Sequence, residues 1–460
     1  MQAQTVVAKS LRQKESIMTT HHTLIEETLD GPILGSLLDV DFYKFTMGAY
    51  IHQYHPDTHV KLGFTNRNKK IYIPEIVDIK DIEQEFDRVR KMRFSRSELH
   101  YLNGTYEYDQ RMFSKEYIDF LAGFELPPYV VSTEMVEGRE RLFMSFYGLW
   151  KNVTYWETIA LSIINGLYFR NLLLDMTRLE RDVLFAEGVK RLAEKVKILK
   201  LHPNLKFCDF GTRRRFSGPW QRYINEIFSQ ELPEQFIGTS NTEIAMKLGL
   251  LPMGTNAHEL PMVTAALAVK NASNDFSEIA FKNDPIAYQR NNINMHLAKM
   301  LSRWYEMYGE GLSIALPDTF GSNSFFDLFF DILHQDNVSF ASLWKGTRQD
   351  SGDPEVYGRE IIKRYKKAGI DPRQKLLIFS DGLNIKKSVA LHQKFHGQIC
   401  DTYGIGTNLT NDFGLKPLQV VIKAIEAEGV STVKISDDPS KIMGSPSEIM
   451  RYKQLFDLDK

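Results

Sequence analysis

A chain of 460 residues, 43% hydrophobic and 25% charged, can bury a large core. At ~150 residues per domain it has room for two to three domains, or for one large barrel with a smaller partner. Its 57 basic side chains nearly cancel 58 acidic ones, for a net charge of −1, which argues against a broad grip on nucleic acid or anionic membrane and leaves only a local basic pocket open. The two cysteines, Cys208 and Cys400, fall in apolar strand-like runs and read as buried, reduced thiols of a cytoplasmic protein without disulfides or a zinc site. No stretch approaches the ~18 consecutive apolar residues of a membrane span. Residues 1–30 are mixed and polar, lack the apolar core of a secretion signal, and read as a flexible extension.

From residue 31 to about 150 the pattern is that of an α+β module. A helix-like run, Phe42 to Tyr54, precedes a strand-like run from Val60 to Phe64. A charged helix follows over Ile79 to Arg93, then short helices to Phe120, then two alternating strands around Glu137-Gly138. After Trp156 come helices Ile159 to Met176 and Leu179 to Leu199. Six short apolar runs succeed them, each ending in polar or glycine residues at Gly211, Ser240, Asp318, Asp350, Asp381 and Gly406. Helices such as Pro354 to Ala368 and Ile385 to Phe395 separate several of them. Strand, polar tip and helix in repetition fit a β/α barrel over 151–419, with chemistry at the C-terminal strand ends; the spacing suits an open doubly wound sheet equally well. Residues 420–460 hold two more strand-like runs that return to complete the first module, and Asn271 to Asn294 reads as a polar excursion at the surface.

The tips carry the chemistry. In Gly254-Thr255-Asn256-Ala257-His258-Glu259, glycine and a helix start favour an anion, and His258 is a candidate base or phosphate acceptor as well as an ordinary loop-end histidine. Arg348 and Asp350 suit a phosphate clamp and vicinal sugar hydroxyls, whereas Asp353, just before Pro354, is an N-cap. Asp381 either holds a sugar hydroxyl or shapes a turn, and the Gly404-Ile405-Gly406-Thr407 backbone either cradles a terminal phosphate or turns tightly. In Phe210-Gly211-Thr212-Arg213-Arg214-Arg215, Arg213 beside Phe210 suits a flat anionic ligand; Arg214 and Arg215 read equally as a solvated basic loop. The chain has no Gly-x-x-x-x-Gly-Lys-Ser/Thr phosphate loop.

Together these motifs resemble nicotinate phosphoribosyltransferase. Leu37-Leu38-Asp39-Val40-Asp41-Phe42-Tyr43-Lys44 looks like the family's opening motif, and the tips at Phe210, Gly238-Thr239-Ser240-Asn241, Gly254, Asp350-Ser351-Gly352-Asp353 and Gly404 follow in the family's order. The likeness runs from about residue 35 to 445, through Ser436-Asp437-Asp438-Pro439. It implies an irregular β/α barrel of the type II phosphoribosyltransferase kind with a smaller α+β domain. It further implies ATP-coupled transfer of phosphoribosyl from phosphoribosyl pyrophosphate to nicotinate, with Mg2+, by a homodimer sharing active sites. By the same resemblance His258 is phosphorylated by ATP, and Tyr43 from the neighbouring subunit stacks on the pyridine opposite Phe210. Thr255, Arg213 and Arg348 touch substrate; Asp318, Asp350 and Asp381 line the ribose and magnesium region. Gly404, Gly406 and Thr407 meet the 5′-phosphate, and Arg67 contacts phosphate from the smaller domain. Ser240 replaces the aspartate of related nicotinamide-using enzymes, which removes a like charge from a bound carboxylate.

Three other readings stay open on the residues. One keeps the fold and changes the substrate to nicotinamide or quinolinate. A barrel hydrolase would pair Asp350 with Asp353 on a sugar, and a nucleotide-sensing module would keep the glycine loops without needing His258.

Overall fold

The computed structural model describes residues 21–105, 111–272, 284–331 and 338–458, in two sheets. The smaller sheet is antiparallel. It contains β1 (His59–Asn66), β2 (Tyr129–Val136), β3 (Arg139–Leu149), β11 (Val420–Ala427) and β12 (Val430–Ser431) in the order β12-β11-β1-β3-β2. β2 and β3 form a hairpin whose loop residues Glu137 and Gly138 both have positive φ, the geometry that matches strand twist in a two-residue turn. The C-terminal segment returns through β11, which pairs with β1.

The larger sheet is parallel. Its strands are β4 (Phe207–Asp209), β5 (Phe236–Thr239), β6 (Leu251–Pro252), β7 (Ile314–Ala315), β8 (Gly346–Gln349), β9 (Leu376–Phe379) and β10 (Cys400–Ile405). Strands such as β4 and β9 are short apolar runs buried on both faces, as parallel sheets require. The order β6-β5-β4-β10-β9-β8-β7 is the chain order around a circle, with β10 closing onto β4 and one rung missing between β6 and β7. That cyclic order removes the open doubly wound alternative: the sheet is an irregular barrel. The gap has a local cause, since β6 and β7 are two residues each and Pro252 has no N–H to donate.

Three expectations need correction. Residues 21–30 are helical rather than part of a flexible extension; Leu24 and Ile25 are buried, and the Thr28 and Ser217 hydroxyls lie 3.0 Å apart. Residues 1–20 lie outside the described residues. In the excursion expected over Asn271 to Asn294, residues 273–283 are also outside them, but from Pro285 the chain is a helix to Leu312, broken in its path at Gly309. Asp284 caps it and Pro285 opens it, start signals that the polar composition concealed. Cys208 is buried as expected, whereas Cys400 is exposed at the start of β10.

Between the two sheets runs the segment Leu38–Phe42. Its backbone bonds across the β5 tip, from Thr242 N to Val40 O (3.0 Å) and from Phe42 N to Ser240 O (2.7 Å), and so delivers Tyr43 to the barrel mouth. Arg215 locks this strap. It is 2% exposed, and its two terminal nitrogens donate to Asp39 at 2.5 and 2.6 Å. Gln221 and the Ile33 carbonyl accept its other bonds. The solvated-loop reading of Arg215 is therefore corrected: a bidentate pair shielded from water fastens the strap to the barrel. Arg215→Ala leaves Asp39 buried without its cation and is expected to cost about 3–5 kcal/mol in urea denaturation; a change below ~1 kcal/mol would show the strap is held otherwise.

Candidate active site

Every sequence-selected tip residue lies in the last turn of a parallel strand or in the loop directly after it, and so on one end of the barrel. His258 sits where the helix Glu259–Ala272 begins, and its carbonyl accepts from Met262 N. The glycine that precedes it serves packing: a Cβ on Gly254 would stand 2.8 Å from Tyr43 N, so its absence admits the Tyr43 backbone rather than an anion.

The imidazole spans the unpaired edge. His258 Nδ1 lies 2.9 Å from Thr319 Oγ1, beyond β7, while Nε2 lies 3.0 Å from Asp350 Oδ2, 3.5 Å from Asp318 Oδ1 and 2.9 Å from Lys434 Nζ. Burial and then the Lys434 ammonium push the His258 pKa down to about 4, so the ring is neutral near pH 7. Nε2 lies between an ammonium that only donates, Lys434, and a carboxylate that only accepts, Asp350: with the proton on Nδ1, toward Thr319, Nε2 accepts from Lys434, and with the proton on Nε2 the ring donates to Asp350 instead. Burial opposes charge on Asp350, but the His258 hydrogen bond and Arg348 hold it well below the usual carboxylate range. Burial likewise opposes charge on Asp318, where His258 and Lys434 outweigh it. Both carboxylates are thus ionised, and Asp318 Oδ1 has no hydrogen-bond donor. Hard oxygen donors facing a lone pair suit a small divalent cation such as Mg2+.

The other tips extend this centre. Arg348 donates to the Asn256 carbonyl (3.3 Å) and keeps a buried Nε without a partner. Ser351 donates to Asp318 Oδ2 at 2.6 Å, and Ser380 to Asp350 Oδ1 at 3.0 Å. Lys441 joins Asp381 to the Asp350 carbonyl. Arg67, just after β1, lies in the field of Asp438, Asp350 and Asp381. Asp353 accepts from Glu355 N and Val356 N as a helix cap, which removes it as a partner for Asp350 in sugar hydrolysis.

A second cluster surrounds Tyr43. Arg213 lies over its ring, 5.5 Å from the centroid, and donates from Nε to Asp41 (3.1 Å) and from Nη1 to Glu157 (3.3 Å). Ser240 donates to the other Asp41 oxygen at 2.6 Å. Tyr43 therefore reaches its own chain's Arg213, which corrects the expectation that a neighbouring subunit supplies it. Arg214 is half-buried, with burial and then Arg213 and Arg67 pushing its pKa to about 10. It too is no solvated loop residue.

Four tip residues have scaffold roles instead. A side chain on Gly404 would overlap the Phe210 ring, so this glycine makes room for the aromatic and is not primarily a phosphate cradle. Gly406 and Thr407 open a four-residue helix, away from the His258 contacts. Thr255 is buried, and its carbonyl accepts from Thr46 at 2.6 Å.

With this geometry in hand, comparison with known proteins is decisive. The family model described as "Nicotinate phosphoribosyltransferase (NAPRTase) family" matches residues 205–460, and that of the family's N-terminal domain matches residues 38–165. The chain belongs to the nicotinate phosphoribosyltransferase family. A nicotinate phosphoribosyltransferase crystal structure from Vibrio cholerae is similar at 29% identity and TM-score 0.78, covering 94% of this chain and 96% of that one. One from Porphyromonas gingivalis gives 28% and 0.76, over 92% and 100%. A putative one from Saccharomyces cerevisiae gives 27% and 0.75, over 93% and 99%. The structure brings to these clusters residues that motif reading passed over: Thr319 and Lys434 at the histidine, Lys441 at Asp381, and Asp41, Lys44, Glu157 and Lys423 around Tyr43. Asp41 and Lys44 flank Tyr43 in the opening motif and were available as a signal; Lys434 and Lys441 were not, because their contacts exist only once the C-terminal segment returns. Gly404→Ala is expected to displace Phe210 and lower stability by about 1–3 kcal/mol. Calorimetric unfolding checks this, and an unchanged midpoint would release Gly404 from its packing role.

Proposed function

We propose that this chain joins nicotinate to phosphoribosyl pyrophosphate, forming nicotinate mononucleotide and pyrophosphate, with ATP phosphorylating His258 during the cycle. The reaction would open NAD salvage from nicotinate. Family membership supports the substrates. The single observation that carries the histidine step is a buried, neutral imidazole whose Nε2 lies 2.9 Å from Lys434 Nζ beside two ionised carboxylates, the Nδ1-protonated form leaving Nε2 free to attack.

The chemistry follows from these groups. The His258 Nε2 lone pair attacks the γ-phosphorus of ATP, and the bond to the bridging oxygen breaks to release ADP. The phosphohistidine brings about −1.5 to −2 charges by analogy with other phosphorylated side chains, and Lys434 stands where it offsets them. Asp318 and Asp350 would hold Mg2+, which when bound neutralises phosphate charge. In the transfer itself the pyridine nitrogen bonds to C1′ as pyrophosphate leaves, through a cation-like sugar. Asp350 and Asp381 are the carboxylates on hand to stabilise that charge, and Arg348 with its unpartnered Nε is the clamp for the departing group.

Tyr43, Phe210, Arg213 and Ser240 make up the proposed pyridine site. Arg213 keeps N–H donors beyond those given to Asp41 and Glu157, enough for a bound carboxylate. Ser240 is neutral and gives its proton to Asp41, so it sets no like charge against a bound carboxylate, as an aspartate in its place would. The homodimer remains part of the proposal; exchange of Tyr43 between subunits does not.

Two measurements decide. Pyrophosphate release should require nicotinate and rise with ATP, while nicotinamide turnover falls at least ~100-fold lower, the scale of a site that rejects a mismatched polar group; equal use of the amide refutes the acid preference. In His258→Ala, ATP stimulation and the acid-labile, alkali-stable label from γ-labelled ATP should both vanish, leaving ATP-independent transfer. Retention of either one removes His258 from the ATP step.

A further inference from the structure

Glu157 is the second residue of the helix Trp156–Leu174, and its side chain is 2% exposed. Its two oxygens divide four donors. Oε2 accepts from the Tyr43 hydroxyl at 2.9 Å and Lys44 Nζ at 2.7 Å; Oε1 accepts from Lys423 Nζ at 3.0 Å and Arg213 Nη1 at 3.3 Å. The four come from distant parts of the chain: the strap helix, the return strand β11 and the β4 loop. Burial alone would neutralise this carboxyl, but Lys423, Lys44 and Arg213 keep it ionised.

Charge and geometry then combine. Three cations (Lys44, Lys423 and Arg213) face three carboxylates (Glu157, Asp41 and Glu259), and only Glu157 touches all three cations. It is also the one group bonded both to the Tyr43 hydroxyl and to the guanidinium lying over that ring. Ring and guanidinium therefore share one anchor that fixes their mutual angle.

We propose that Glu157 is a positioning residue for the pyridine carboxylate, setting how tightly this enzyme holds its heterocyclic acid by orienting Tyr43 and Arg213 together. The inference rests on the substrate reading above. It assigns no contact with the reacting atoms. It acts on binding of one substrate and leaves the phosphoribosyl donor untouched, because Asp350 and Asp381 are held by Ser380 and Lys441, and Arg348 by the Asn256 carbonyl, instead.

The test is steady-state kinetics on the full chain with both substrates varied. Glu157→Gln keeps the shape and loses the charge; its KM for nicotinate should rise at least ~10-fold, with KM for phosphoribosyl pyrophosphate within about two-fold of wild type. Tyr43→Phe removes one of the four bonds and should raise the nicotinate KM in the same direction by less. The double variant should show less than the product of the two single effects, because both act on the same Tyr43–Glu157 contact. Equal increases in both KM values, an unmoved nicotinate KM, or multiplicative single effects each overturn the proposal. Should Glu157→Gln not fold, Tyr43→Phe alone decides by the same split in KM. A wild type that releases no pyrophosphate with nicotinate sinks the substrate reading and this inference with it; an active wild type with insensitive variants sinks the inference alone.

Discussion

Between β6 and β7 the barrel is held together by side chains, because no backbone ladder crosses that edge. The groups that do cross it are His258 from one side and Thr319 and Asp318 from the other, with Lys434 added from the C-terminal return. A side-chain closure is polar and nearly dry, so each member has to be satisfied by another or by a ligand. The same few contacts that complete the fold therefore also hold a neutral imidazole beside a cation and two carboxylates. Structure and reactivity share one set of bonds here, and neither can be altered without the other.

A second buried ion cluster lies around Tyr43, built on the same economy of charge. Lys44 has no exposure at all, yet Glu157 and Glu259 more than offset the burial that disfavours its ammonium. Buried ion clusters add little net stability but tolerate few arrangements, which suits a place where ring and guanidinium must meet at a fixed angle. The Asp39–Arg215 pair performs the same service for the strap that carries Tyr43.

Much of this was legible in the chain. Short apolar runs with polar ends located the strands, and residues next to strand ends had to share the mouth once the sheet was parallel. His258, Asp318 and Asp350 could be read that way. Lys434 could not, since nothing local distinguishes a lysine on a returning segment from a solvated one. Arg215 misled for the same reason: three successive arginines look like a wet loop until Asp39, 176 positions away, is brought to the last of them. Glycines misled differently. Gly254 and Gly404 lie in motifs that suggest phosphate approach, but each makes room for an aromatic residue of the same chain. The helix from Pro285 was hidden because the polar run before it outweighed its Asp284 cap, and the helix 21–30 because its apolar residues are few.

The missing rung has an evolutionary corollary. Every other connection in the barrel joins strands whose pairing fixes a register, so a change in its length must be absorbed without slipping a ladder. The stretch from Gly254 to Leu312 joins β6 and β7, which share no ladder, and lengthening a connection adds only slowly to the entropic cost. A change in its length slips no β6–β7 register, provided His258 stays at its beginning and β7 resumes at its end. It is the natural port for grafting new surface onto this barrel.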